Sequence, residues 1–207
     1  MKKSFLLLPI LALFLSSCAV ARTTIHLKPE QFIPSISDSR YTIFKGQQVF
    51  LSPIITKDED IGEAGWYYYG SDSLVKYAAD NSVEEYLQSC FEKTLKQAGA
   101  FVYAAQSTKI TRSGLFPSQY TRSDKRATPE EVKDIQIVIN KLKDCTIVFT
   151  VTIFTKDAIA FQKEITVTLK EAEESNRSYL EKRTNDFYNK VVSSVLLDSD
   201  FQTAFMK

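Results

Sequence analysis

Residues 133–169 alternate apolar and polar side chains in three successive runs, and this period of two constrains the fold more than any other feature of the chain. Ile135, Ile137 and Ile139 share one parity of the first run. Cys145, Ile147, Phe149, Val151 and Ile153 oppose Thr146, Thr150 and Thr152 in the second, and Ile159, Phe161, Ile165, Val167 and Leu169 share one parity of the third. Successive side chains of a strand point to opposite faces, so each run predicts a strand with one buried face. Turn signals at 142–144 and 156–157 join the three into an antiparallel meander, whose apolar face has to be covered by helices.

Upstream, residues 48–55 carry Phe50, Leu51, Ile54 and Ile55 on both parities, as a central strand buried on both faces would, with Pro53 near its end. Residues 66–69 and 74–77 read as two short strands around the turn Gly70-Ser71-Asp72-Ser73. The spacing over 80–99 predicts a helix. Ser82 followed by Glu85 makes a capping box, Gly99 supplies the stop, and Val83, Leu87, Cys90, Phe91, Leu95 and Ala98 form the apolar stripe. Glu84, Glu85, Gln88, Glu92, Lys93 and Lys96 take the wet side, and a strand over 100–105 follows. The pattern dissolves over 106–130, a long loop carrying Arg112, Arg122, Lys125 and Arg126 beside Leu115, Phe116 and Tyr120, and reading either as a mobile insertion or as a partner-binding loop. A last helix near 178–197 turns Leu180, Phe187, Val191 and Val195 to the sheet. The expected fold class is α+β: a single domain with a mixed, mostly antiparallel sheet and two helices packed on one face, without internal repeats.

The N-terminus combines Met1-Lys2-Lys3, an apolar run from Phe5 to Leu15, and Leu15-Ser16-Ser17-Cys18. The apolar run is too short to span a bilayer and has the layout of a secretory signal. With its cysteine directly behind Leu-Ser-Ser it resembles a bacterial lipoprotein signal peptide. The resemblance implies acylation of Cys18 by palmitate-like chains, cleavage before it, and a lipid-anchored mature chain. Ala19 rather than Asp behind the cysteine implies an outer-membrane location facing the periplasm. The domain plan is a signal peptide over 1–17, a lipidated N-terminus and flexible tether over 18–40, and the folded domain over 41–207. Removal of the signal leaves about 190 residues, the size of one domain.

The chain has 26 basic and 25 acidic residues, so no global field favours nucleic acid. No Gly-x-Ser-x-Gly, Walker loop or Gly-x-Gly-x-x-Gly is present, and the single histidine, His26, falls in the expected tether without a second ligand at metal spacing. The adjacent carboxylates Glu84-Glu85, Asp58-Glu59-Asp60 and Glu171 to Glu174 read as helix face, turn and linker. These observations point away from an enzyme and imply no metal or cofactor. Cys90 on the helix stripe and Cys145 on the apolar parity of a strand are either two buried thiols or a disulfide in an oxidising compartment. Trp66, Tyr67, Tyr68 and Tyr69 alternate in direction, so one pair enters the core. The other, together with Tyr77, is either further packing or an aromatic surface for a lipid or a partner protein. Arg122 and Arg126 are candidate partner contacts on the long loop.

Tyr68-Tyr69-Gly70-Ser71-Asp72 to Val75-Lys76-Tyr77, then Asp80 through the helix to Ala98-Gly99-Ala100-Phe101-Val102, resembles the middle of the ABC-type transport auxiliary lipoproteins. The resemblance covers residues 49–103 in pattern and the remainder in element order. It departs at Asn81-Ser82, where that family has a tryptophan, and in the length of the loop after Gln106. The tail from Ser194 to Phe205 is closer to YajG-like outer-membrane lipoproteins. The first resemblance implies a non-catalytic accessory subunit of an ABC/MCE-type envelope lipid transporter, partnered by a permease or MCE-domain complex. The second implies an envelope scaffold or integrity lipoprotein.

Overall fold

In chain order the computed structural model contains β1 (Thr24–Ile25), 3-10 turns at Pro29–Gln31 and Ser39–Phe44, β2 (Gln48–Leu51), β3 (Ile55–Thr56), β4 (Glu63–Tyr69), β5 (Ser73–Ala79), α1 (Val83–Gln97), β6 (Phe101–Ala104), β7 (Lys133–Lys143), β8 (Thr146–Thr155), β9 (Ala158–Thr168), α2 (Arg177–Leu196) and α3 (Ser199–Phe205). It describes residues 23–57, 63–69, 73–104, 132–143, 145–155 and 158–207, excepting the side chains of Glu63, Tyr68, Tyr69 and Ser73. The signal peptide, Cys18 and the loop over 106–130 with Arg122 and Arg126 therefore lie outside the described residues.

The meander forms as β7-β8-β9, antiparallel throughout. It extends through β2 and β6, both added in parallel, into a six-stranded sheet of order β6-β2-β7-β8-β9, with β3 also pairing with β7. Ile135, Ile137 and Ile139 of β7 and Ile147, Phe149, Val151 and Ile153 of β8 are wholly buried. Each such side chain contributes about 1.5–3 kcal/mol relative to exposure. The opposite face stays polar, where Asn140 donates to Thr150 and Glu164. The α+β class and the mixed sheet are thus as the alternation predicts.

Two bulges alter the parity. Between Ile139 and Lys141 the register shifts, so Lys141 pairs with Val148 and Leu142 with Ile147. The even-numbered Leu142 thereby joins the buried face set by odd-numbered isoleucines. Between Ile153 and Phe154 the shift pairs Ile153 with Phe161 but Phe154 with Ile159. Ile159, which strict alternation assigns to the core, is instead 57% exposed.

Other expectations change for equally local reasons. Residues 48–55 are not a strand buried on both faces. Val49 and Leu51 are buried while Gln48 and Phe50 are half-buried, and the pairing breaks at 52–54 around Pro53, which has no N–H to give to a ladder. The break frees the Ile54 N–H, and Gln88, expected on the wet side of α1, is buried because its Oε1 accepts from that group at 3.3 Å. The β4–β5 hairpin does not extend the large sheet but forms a second, three-stranded one of order β1-β5-β4. From Thr23 onward the chain is not a tether. β1 pairs in parallel with β5, and Ile25, Leu27 and Phe32 are buried with Tyr41 and Phe44. Residues 23–40 thus belong to the folded domain, since scattered apolar residues without periodicity reach a core only through long-range pairing.

Ser82 caps α1 by accepting from Glu85 N, and Val83, Leu87, Cys90, Phe91 and Leu95 are buried as the stripe predicts. In α2, capped by Asn176, Leu180, Phe187, Val191 and Val195 are buried. A third helix, α3, follows; Phe201 and Phe205 stack 5.9 Å apart and meet Phe44 and Phe161. Asp198 caps α3 by accepting from Asp200 N and Phe201 N, and receives a 2.6 Å bond from the Lys163 ammonium of β9.

Burial pushes the Asp198 carboxyl up, but Lys163 and the two backbone N–H groups outweigh it and hold its pKa below the ordinary carboxylate value. A depressed folded-state pKa contributes stability that is present above the unfolded value and lost as pH falls through the folded one. Asp198→Ala should cost about 1 kcal/mol at neutral pH, typical of a lost cap. Urea titrations should show that deficit shrinking as the pH is lowered below the ordinary aspartate range.

Candidate functional site

β4 and β5 pair antiparallel from Glu63 opposite Ala78 to Tyr69 opposite Ser73. Tyr67 and Tyr77 both turn inward, with 4% and 0% exposure and ring centroids 6.5 Å apart. Their assignment as surface contacts is therefore corrected: the three-stranded sheet buries this face, and the Tyr67 hydroxyl shares a 3.1 Å bond with Thr23. Trp66 is half-buried, and its carbonyl accepts from Ala172 N at 3.1 Å. Of Tyr68 and Tyr69 only the backbone is described.

Gly65 makes room for Tyr77. A Cβ at residue 65 would lie 2.3 Å from the Tyr77 hydroxyl oxygen, well inside contact distance, and a buried ring has nowhere to move. That hydroxyl faces Arg183 and Thr184 of α2 without a hydrogen bond of good geometry to either, and the Thr184 hydroxyl donates to the Leu180 carbonyl. Burial raises its pKa above that of a free phenol, with Thr184 and Arg183 opposing the rise. Two further tyrosines, Tyr86 and Tyr188, meet edge to face at 5.1 Å, and Tyr86 donates to Asn185 in a short bond.

A groove of about 450 Å³ opens beside this cluster, between the end of β9 and the first four turns of α2. Leu169, Tyr179 and Phe187 give it an apolar wall, and Lys170, Lys182, Arg183 and Lys190 outnumber the one carboxylate, Asp186. The Nε and Nη2 atoms of Arg183 are out of solvent and have no hydrogen-bond acceptor. In the sequence Leu169 and Phe187 read only as core-facing positions, and the four cations do not stand out. Their signal, a lysine or arginine on adjacent turns of one helix, is what any solvated helix face shows.

His26 bonds through Nδ1 to the Asp80 carboxylate at 2.8 Å, joining β1 to the start of α1. Cys90 and Cys145 are both buried free thiols, and the disulfide is not formed. α1 packs against β6, whereas Cys145 enters β8, three strands away. At about 4.8 Å per strand that separation is roughly 14 Å, twice what a disulfide spans. Burial pushes the Cys90 thiol well above its ordinary pKa, with Tyr86 and Lys93 opposing. Among the described residues no group of His, Cys, Asp and Glu is placed to hold a metal, and no helix is long and apolar enough to cross a membrane.

No family model and no curated protein matches this chain. Among solved structures its fold is similar to that of protein XCC0632 from Xanthomonas campestris, described under the family model DUF330. The TM-score is 0.50 at 10% sequence identity, over 84% of this chain and 92% of that one. The structure of an uncharacterised protein aligns at 0.42 with 8% identity, over 85% and 97%. The likeness to XCC0632 is one of fold.

Two outcomes check this geometry. Gly65→Ala should lower the urea midpoint by the equivalent of about 1–3 kcal/mol, the usual cost of overpacking. In a chain carrying Cys18→Ala, Cys90 and Cys145 should resist a thiol reagent when native and both react after denaturation without reductant. Absence of thiols in the denatured chain would show a disulfide.

Proposed function

We propose that the protein is a non-catalytic, lipid-anchored protein of the bacterial outer membrane, facing the periplasm as an accessory subunit of an ABC/MCE-type lipid transport system. Its anchor is Cys18, and its partner a permease or MCE-domain complex. The observation that supports this best is how soon after Cys18 the chain is held. The Thr23 carbonyl already accepts from Ala78 N, and that of Ile25 from Asp80 N, so the domain is pinned five residues beyond Cys18. Five peptide steps reach at most about 18 Å. Acylation of Cys18 would therefore hold the domain against the bilayer, where lipid is handed on, rather than on a long leash. Several buried acyl chains, at about 0.8 kcal/mol per CH₂, make such an anchor lasting.

With Tyr67 and Tyr77 in the core, the exposed aromatics among the described residues are Phe101 and Tyr103, 63% and 52% exposed on β6. Both lie on one face of the strand at the edge of the large sheet. Edge strands with exposed aromatics suit a protein partner, since aromatic anchors dominate interface energies.

Cys18→Ala should abolish labelling by a fatty-acid probe and release the protein from the membrane fraction; undiminished labelling excludes the anchor. From gently extracted membranes the wild-type protein should recover a permease or MCE-domain protein. Phe101→Ala or Tyr103→Ala should reduce that recovery, a hot-spot loss being at least about 2 kcal/mol, or 30-fold in affinity. Recovery of peptidoglycan-associated proteins without any transporter component favours an envelope scaffold instead.

A further inference from the structure

We infer that the groove between β9 and α2 binds a single-chain amphiphile with an anionic head group, a phosphate or a carboxylate. Three observations carry this. The groove's volume, about 450 Å³, falls in the range of small-molecule sites, which pair an apolar lining with a few placed polar groups. Here the apolar wall is Leu169, Tyr179 and Phe187. Four cations face one carboxylate, Asp186, and none of Lys170, Lys182, Arg183 or Lys190 has an ion pair among the described residues. Lys190 bonds only the Thr168 carbonyl, at 3.4 Å. The third observation is the Arg183 guanidinium, whose Nε and Nη2 are sealed from water without an acceptor.

Buried polar groups are almost always hydrogen-bonded, and a cation with its donors unmet is costly until an anion arrives. Nε and one Nη form the edge with which arginine grips a carboxylate or phosphate in two parallel bonds, and turning the side chain into the groove would bring that edge to a head group. The Tyr77 hydroxyl faces the same guanidinium without a hydrogen bond of good geometry, and because a guanidinium only donates, the phenolic proton is left without an acceptor as well. An anion alone would leave the half-buried Leu169 and Tyr179 facing water, and a neutral lipid would leave Arg183 unmet. An amphiphile satisfies both. The inference goes beyond the accessory role and does not depend on acylation of Cys18.

The test uses the chain carrying Cys18→Ala, which needs no detergent, titrated by calorimetry and by amide NMR with decyl phosphate and decanoate below their micelle concentrations. Saturable one-to-one binding is expected, with shifts at Leu169, Lys170, Phe187 and Lys190. Decanol, which lacks the charge, and inorganic phosphate, which lacks the chain, should each bind at least about 10-fold more weakly, since one charge-assisted hydrogen bond, or burial of a few methylenes, is worth that much. The comparison of decyl phosphate with decanoate tells which head group the site prefers. Arg183→Met should weaken binding by about 10-fold or more, the loss of one such bond. Because Arg183 is partly buried, Lys190→Glu on the exposed rim serves as the second variant and should weaken binding and its salt dependence without moving the denaturation midpoint. Equal binding of decanol, equal binding of inorganic phosphate, shifts away from the groove, or unchanged affinity in both variants would each overturn the inference. Such a failure would leave membrane anchoring and partner recovery untouched, so the two readings fail separately.

Discussion

Ile147, Phe149, Val151 and Ile153 leave water completely, and the need to keep them out of it places every other element. β8 is flanked by β7 and β9, so its backbone is paired on both sides and only its faces remain to be covered. The C-terminal helices lie against β9 and α1 against β6. One strand with an uninterrupted apolar face thereby organises a sheet that also contains parallel pairs with no turn of their own.

Polar requirements decide the details within that frame. Pro53 interrupts β2 and β3, and the freed Ile54 N–H is met by Gln88 from α1, which ties helix to sheet where the ladder fails. Asp198 ends α2 and starts α3, and its charge is answered from β9 by Lys163. Asn81 joins β1 to α1 by accepting from Leu27 N and donating to Leu27 O. Unmet buried groups are costly, so each of these side chains follows from a backbone demand made elsewhere. Among the described residues Gln48 Oε1, the Tyr77 hydroxyl and the inner edge of Arg183 are the exceptions, and Arg183 borders a groove with both an apolar wall and an excess of positive charge.

The period-two runs and the stripe of α1 were legible because burial on one face leaves a repeat in the chain itself. Helix caps at Ser82 and the turns of the meander were legible for the same reason: their partners lie within a few residues. The apolar residues between Ile25 and Phe44 carry no repeat, and they become core only because β1 finds β5 more than fifty residues away. The bulges that admit Leu142 and expel Ile159 depend on register between strands, which a single strand's sequence does not record. The candidate site was the least legible part. Tyr67 and Tyr77 looked available until a second sheet enclosed them, and Lys170, Arg183 and Lys190 looked like ordinary surface until β9 and α2 met.

The sequence by itself determined the α+β class, the strand order within the meander, the approximate limits of α1 and α2 and the signal-like N-terminus, all of them local or periodic properties. The tertiary structure alone decided that the described strands form two sheets, that α3 follows α2, that residues 23–40 belong to the fold, that the two cysteines stay apart, and that an unmet guanidinium borders an apolar groove. Those outcomes depend on distances between segments remote in the chain, and such distances are set by packing rather than by any pattern along it.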